Sequence, residues 1–154
     1  MAYRRDVFAK LNLQPPATYD ELQTLLPILR DKAGMGALAT RGETGHQCVH
    51  AWLLHLNPLG GRVFDNHWRP TFQGAAGVEA LKLLKDIVDT GPEGAASMDH
   101  GAMIKSFLQG EAAMYLDSTV VFGPVKGAAS RVEGKVSYVL HPKGVRHSSQ
   151  SGGG

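Results

Sequence analysis

A chain of 154 residues, 43% hydrophobic and 19% charged, has room for one core and a composition near the globular average, which argues against a disordered polymer and a membrane bundle. No apolar run approaches the ~18 residues of a spanning helix. A formal net charge of +2 is too small for phosphate neutralisation to drive binding, so no nucleic acid partner is expected.

The opening MAYRRDVFAK has charges but neither an apolar h-region nor a small-residue cleavage pattern, and no signal peptide is expected in it. From Tyr3 to Leu11, Val7, Phe8 and Leu11 recur on one face beside Arg4, Arg5, Asp6 and Lys10, which predicts a short amphipathic helix. Thr18 and Glu21 have capping-box spacing and start a helix over residues 19–32. Pro27 removes a backbone hydrogen bond inside it and predicts a kink or a break there. Residues 34–40 (GMGALAT) are short, small and apolar, the pattern of a buried strand.

Residues 45–56 place Val49, Trp52, Leu53 and Leu56 on one helical face. Residues 57–74 carry the Gly and Pro content of a loop around one short hairpin. Residues 78–90 form a helix with Val78, Leu81, Leu84, Ile87 and Val88 in period, stopped by Gly91 and Pro92. Asp99 is a helix N-cap, and Met103, Phe107 and Leu108 are the apolar stripe of the helix that follows. Residues 111–117 (EAAMYLD) read as a second buried strand, 118–125 as the start of a further helix, and 135–140 (KVSYVL) as a third strand. The expected fold class is α/β, with helices packed on a small mixed sheet in a single lobe over residues 1–144. Residues 145–154 are a Ser/Gly-rich segment expected to be a flexible tail. About one residue in eight is glycine, well above the usual ~7%, which points to many backbone turns.

Ligands of open α/β sheets sit beyond the carboxyl ends of the strands. Two such places stand out: Thr40–Gln47, which displays Arg41 and His46 at a helix start, and Leu116–Thr119. Arg41 offers five donors, Asp117 two acceptor oxygens and Thr119 both functions, the equipment for neighbouring hydroxyls of a sugar or polyol. Equally well, Asp117 caps a helix and Arg41 pairs with Glu43 or Asp117.

His46 and His50 stand at i and i+4, the spacing at which two imidazoles meet one Zn²⁺, so a zinc-dependent enzyme using His46 and His50 is a minor alternative. Cys48 lies roughly 160° to 200° round the helix from either His, and no HExxH pattern is present; solvated or capping histidines are the plainer reading. Cys48 itself, beside Val49 and Trp52, reads as a small core residue rather than a nucleophile. No GxGxxG, GxxxxGK[ST] or GxSxG motif occurs, and neither cofactor nor catalysis is expected.

Six segments in order, YRRDVFAKLNLQPPATYDEL, TRGETGHQ followed by Trp52, GGRVFD with Trp68 and Pro70, GVEALKLLKDIVDTGPEGAAS, FLQGEAAMYLDSTV and GKVSYVLHPKG, resemble the extracytoplasmic solute-binding proteins of carbohydrate ABC transporters. The likeness is to the branch that binds sugars and polyols, and it covers about Tyr3 to Gly144. It implies two α/β lobes that clasp a ligand between them, of which this chain matches one, and a location outside the cytoplasm. It also implies an amino-terminal lobe and a transporter permease as partners, and that Arg41, His46, Asp117 and Thr119 line the cleft. Trp52 and Phe122 are candidate platforms for a sugar ring, with core packing the better reading for Trp52. An isolated lobe leaves the face that should meet its partner uncovered, so a self-associating or partner-binding interaction module without sugar binding is the alternative.

Overall fold

The sheet begins where periodicity predicts a helix. The computed structural model describes residues 1–145, and in it Ala2–Arg4 is a strand, β1, while helix α1 spans only Arg5–Lys10. Three residues are too few for a strand pattern to appear in sequence; pairing decides the matter, with Ala2 opposite Tyr115 on one side and Tyr138 on the other. The expected tail lies outside the described residues from position 146 onward.

Helix α2, Tyr19–Ala33, starts on the expected capping box: the Glu21 amide donates to Thr18 Oγ1 at 3.2 Å, and the Thr18 amide donates to Glu21 Oε2 at 3.3 Å. The helix does not break at Pro27 but runs through it as one element. Pro27 and Gln23, whose carbonyl would have received the missing amide, are both exposed, so water can take over that carbonyl.

Strands β2 (Gly36–Ala39) and β3 (Ala112–Tyr115) are buried throughout, as their apolar runs predict. They pair in parallel, the crossover being supplied by α3 (His46–Leu56), α4 (Ala75–Thr90) and α5 (His100–Leu108). With β4 (Val136–Tyr138) the sheet order is β2-β3-β1-β4, and β1 is antiparallel to both neighbours. Consecutive β3 side chains serve opposite faces: Met114 packs with Leu22, Leu26, Leu29, Leu83 and Ile87, and Tyr115 with Met103, Phe107, Val121 and Val132.

Two helical faces differ from the periodicity. On α3 the buried residues are Ala51, Leu54, His55 and Leu56, whereas Val49 is exposed and Trp52 and Leu53 are half-buried. The face that packs inward carries His55, whose ring meets the Tyr19 hydroxyl, so spacing alone does not mark it as the buried one. On α4 the buried line is Gly77, Ala80, Leu83, Leu84 and Ile87, with Val78 and Leu81 on the exposed margin. The expected hairpin in 57–74 is present as an antiparallel bridge between Phe64 and Pro70. In place of a further helix after β3, two short 3-10 turns occur at Thr119–Phe122 and Pro124–Lys126.

Candidate functional site

The register of the parallel pair builds the site. Leu38 stands opposite Met114 and Ala39 opposite Tyr115, so two residues further on Arg41 arrives beside Asp117, where both strands end. Arg41 Nε donates to Asp117 Oδ2 at 2.9 Å and Nη2 donates to Oδ1 at 2.7 Å, a bidentate pair whose side chains are only 8% and 1% exposed. Of the two local readings open in the sequence, pairing of Arg41 with Asp117 is the one realised. The Ser118 amide donates to Asp117 Oδ1 at 2.6 Å, and Arg41 Nη1 donates to Gln47 Oε1 at 3.3 Å. Burial pushes the Asp117 carboxyl up, but the Arg41 guanidinium and the Ser118 amide outweigh it and hold the group below its ordinary value.

Two imidazoles face the same carboxylate. His50 Nε2, from α3, lies 3.9 Å from Oδ2, is buried and has no hydrogen-bond partner among the described residues. His100 Nε2, from the first residue of α5, lies 3.6 Å from Oδ1 and 3.5 Å from Ser118 Oγ. Burial, reinforced by the Arg41 charge, holds His50 below its ordinary pKa and so favours the neutral ring. Tyr115, the last residue of β3, is pushed up to about 12 by burial and by the Asp117 charge, and its hydroxyl is buried.

The loop leaving β2 is fixed from below. The Gly42 and Glu43 amides both donate to the Met98 carbonyl at 3.1 Å, and a Cβ on Gly42 would stand 2.1 Å from the Ala95 carbonyl oxygen, so only glycine fits there. Gly45 enters α3 at φ 93, in the region that favours glycine. His46 follows, exposed, with its ring centroid 6.3 Å from that of His50.

Arg41 and Asp117 are thus brought into contact, and His46 stands on the rim through His50. Thr119 is exposed two residues past Asp117, at the start of a 3-10 turn. Phe122, at the end of that turn, packs on Tyr138 of β4 with ring centroids 4.3 Å apart, at the opposite edge of the sheet from β2. Trp52 turns towards α4: its Nε1 donates to the Gly77 carbonyl at 3.0 Å and its ring meets Phe72 edge-on. Cys48 is not in the core; it lines a surface groove with Val78 and Leu81, on the side of α3 away from His50. Among the described residues no group of three His, Cys, Asp or Glu side chains is placed to hold a metal ion.

His100 has no mark in the motifs. Its signal is topological: α5 runs into β3 through a short connection, so the two lie antiparallel and the start of the helix returns to the carboxyl end of the strand.

A mixed α/β lobe of this topology, with polar groups gathered where its parallel strands end, has the architecture of one lobe of a periplasmic binding protein. Residues 1–151 match the bacterial extracellular solute-binding protein family, and the chain belongs to it. Among curated proteins it is similar to a mannitol-binding protein of Pseudomonas aeruginosa, 28% identical over 97% of this chain and 36% of that one. It is also similar to a probable amino-acid ABC transporter periplasmic-binding protein of Sinorhizobium fredii, 25% identical over 92% and 34%. A solved solute-binding protein of Agrobacterium radiobacter K84 in complex with ribitol superposes with a TM-score of 0.86 at 31% identity, over 93% of this chain and 37% of that one. One of Agrobacterium vitis S4 with bound D-mannitol gives 0.83 at 27%, over 92% and 36%. The chain therefore spans about a third of the length of the relatives it matches.

Proposed function

We propose that this chain is a sugar- or polyol-binding lobe of the non-catalytic substrate-binding component of an ABC transporter. It acts outside the cytoplasm together with a second lobe that closes the cleft and a permease that receives the ligand. The observation that carries the reading is the β2–β3 register, which collects Arg41, Asp117, Ser118, His50 and His100 at one end of the sheet. The mannitol-binding protein and the ribitol and D-mannitol complexes among its relatives support polyols as the ligand class. No metal or organic cofactor enters this reading, and neither do His46 and His50 as zinc ligands.

One cleft wall supplies part of the contacts and leaves water on the other side, so the lobe alone binds weakly, at roughly millimolar or about −4 kcal/mol. Titration with D-mannitol, ribitol and hexoses to about 100 millimolar, followed by amide NMR, is expected to shift signals in the loops at 40–46, 98–100 and 117–119. Absence of any shift overturns the reading, and a micromolar titration overturns the single-wall argument.

A second reading rests on a different surface. Val49, Phe72, Val78 and Leu81 are exposed around the groove between α3 and α4, with Trp52 half-buried at its base. An apolar face of this kind favours self-association. Light scattering over a concentration series tests it, and a strict monomer at high concentration rules it out.

A further inference from the structure

Arg41 and Asp117 satisfy one another. The carboxylate accepts from Arg41 Nε, Arg41 Nη2 and the Ser118 amide, and a further guanidinium donor is directed to Gln47. With side chains 8% and 1% exposed, neither group meets a hydroxyl that approaches from solvent. His100 differs, because a third of its side chain is exposed while its Nε2 faces the buried carboxylate.

The backbone of His100 is held from two directions. Asp99 Oδ1 accepts from the Ala102 amide at 2.7 Å and caps α5, and the Met98 carbonyl one residue earlier accepts both loop amides from Gly42 and Glu43. The ring therefore has a fixed root, with its Nε2 beside a buried anion and a third of the side chain open to solvent.

We propose that His100 is the ligand-contacting residue of this site, its Nε2 held by Asp117 and Ser118 so that Nδ1 accepts a hydrogen bond from a ligand hydroxyl. The inference rests on the sugar and polyol reading above and adds to it a residue and a direction of contact. A carboxylate beside Nε2 favours the tautomer with its proton there, and a neutral imidazole so oriented has one acceptor left, on the opposite side of the ring. Arg41 and His50 face the same carboxylate, and the Arg41 guanidinium is its bidentate partner. Asp117 is then a positioning residue, which explains why a carboxylate without solvent access stands at the strand end. A polyol hydroxyl that donates to Nδ1 can accept in turn from another group on the rim, a pairing that suits neighbouring hydroxyls.

The test has two arms. Long-range ¹⁵N–¹H NMR of the unliganded chain at pH 7.5 is expected to give the Nε2–H tautomer for His100; the Nδ1–H tautomer overturns the proposal without any ligand. Titration with D-mannitol and with ribitol is then expected to shift the His100 ring signals. His100→Ala should weaken binding about tenfold, the scale of one hydrogen bond. His100→Asn, whose amide oxygen can occupy the place of Nδ1, should recover most of the loss, which a merely structural role would not do. Shifts in the 40–46 and 117–119 loops with unchanged His100 signals, and an unchanged affinity in His100→Ala, overturn this inference and leave the sugar reading standing. If no signal in the chain moves, both fall. If His100→Ala does not fold, the ring signals of the unsubstituted chain decide.

Discussion

The Tyr19 hydroxyl lies 3.0 Å from Nδ1 of His55 and ties the first residue of α2 to the last turn of α3, with His55 only 2% exposed. The same hydroxyl is 3.4 Å from His141 Nε2, and the segment that carries His141 continues into a bridge in which the Tyr19 amide donates to Lys143 O at 3.1 Å and the Lys143 amide donates to Ala17 O at 2.8 Å. Three rings thus join α2, α3 and the chain beyond β4.

That junction makes stability depend on pH. Burial, with the His141 charge adding to it, pulls His55 down to about 3, against 6.5 for the free side chain. The unfolded chain therefore binds the proton first. Stability is complete above about pH 6.5 and falls as pH drops towards 3, by about 3 kcal/mol at pH 4.5 from this group. Urea denaturation at pH 7.5 and 4.5 should resolve the drop, and His55→Gln should flatten it. Equal acid sensitivity in the variant would place the effect elsewhere.

The Arg41–Asp117 pair should behave as a buried unit. Arg41→Met leaves Asp117 without its guanidinium in a site that is 1% exposed, a loss of about 3–5 kcal/mol. The double variant Arg41→Met, Asp117→Leu removes both charges and should recover most of that stability. A double-mutant cycle by chemical denaturation measures the coupling, and simple additivity of the two losses would show that the pair does not act as a unit. Because Arg41 holds the Asp117 carboxyl low, Arg41→Met should also raise the pKa of Asp117, so the variant's deficit narrows as the pH falls and the carboxyl takes up a proton.

Gly42→Ala tests whether the β2–α3 loop must sit against the segment before α5. Its Cβ would run into the Ala95 carbonyl oxygen, a backbone atom with no rotamer to swing aside, so one segment must move. A loss of about 1–3 kcal/mol is expected, the usual cost of overpacking. Faster amide exchange at Gly42 and Glu43, whose partner is Met98 O, would locate the displacement. An unchanged melting temperature and unchanged exchange would show the loop to be loosely held.

Elements with punctuation or strong local chemistry were readable from sequence. The Thr18–Glu21 box and the Asp99 cap mark the starts of α2 and α5, and the small apolar runs ending at Ala39 and Tyr115 mark β2 and β3. Strand β1 was not readable, because its three residues are defined by the partners Tyr115 and Tyr138 rather than by their own pattern. The buried face of α3 includes His55, a polar residue that becomes a core partner only where the Tyr19 hydroxyl stands beside it. At the candidate site, the meeting of Arg41 with Asp117 follows from knowing where two parallel strands end. The approach of His50 and His100 to that carboxylate depends on how α3 and α5 pack, which no local spacing encodes. Phe122 reaches Tyr138 because a short 3-10 turn, and not a continuing helix, redirects the chain after β3.

The two sides of α4 separate burial from periodicity. Leu81 is 57% exposed and Leu83 only 2%, although both are leucines two positions apart on one apolar helix. Leu83→Ala opens a cavity against Leu38 and Ile87 and should lower stability by about 2–5 kcal/mol. Leu81→Lys removes apolar surface that already faces water, so its effect should stay within about 0.5 kcal/mol. If the groove between α3 and α4 mediates self-association, Leu81→Lys should lower the scattering mass at high concentration while the denaturation midpoint stays unchanged. A large loss of stability in Leu81→Lys would mean that the side chain is buried in solution, and that the face is covered by part of this chain or by a second copy.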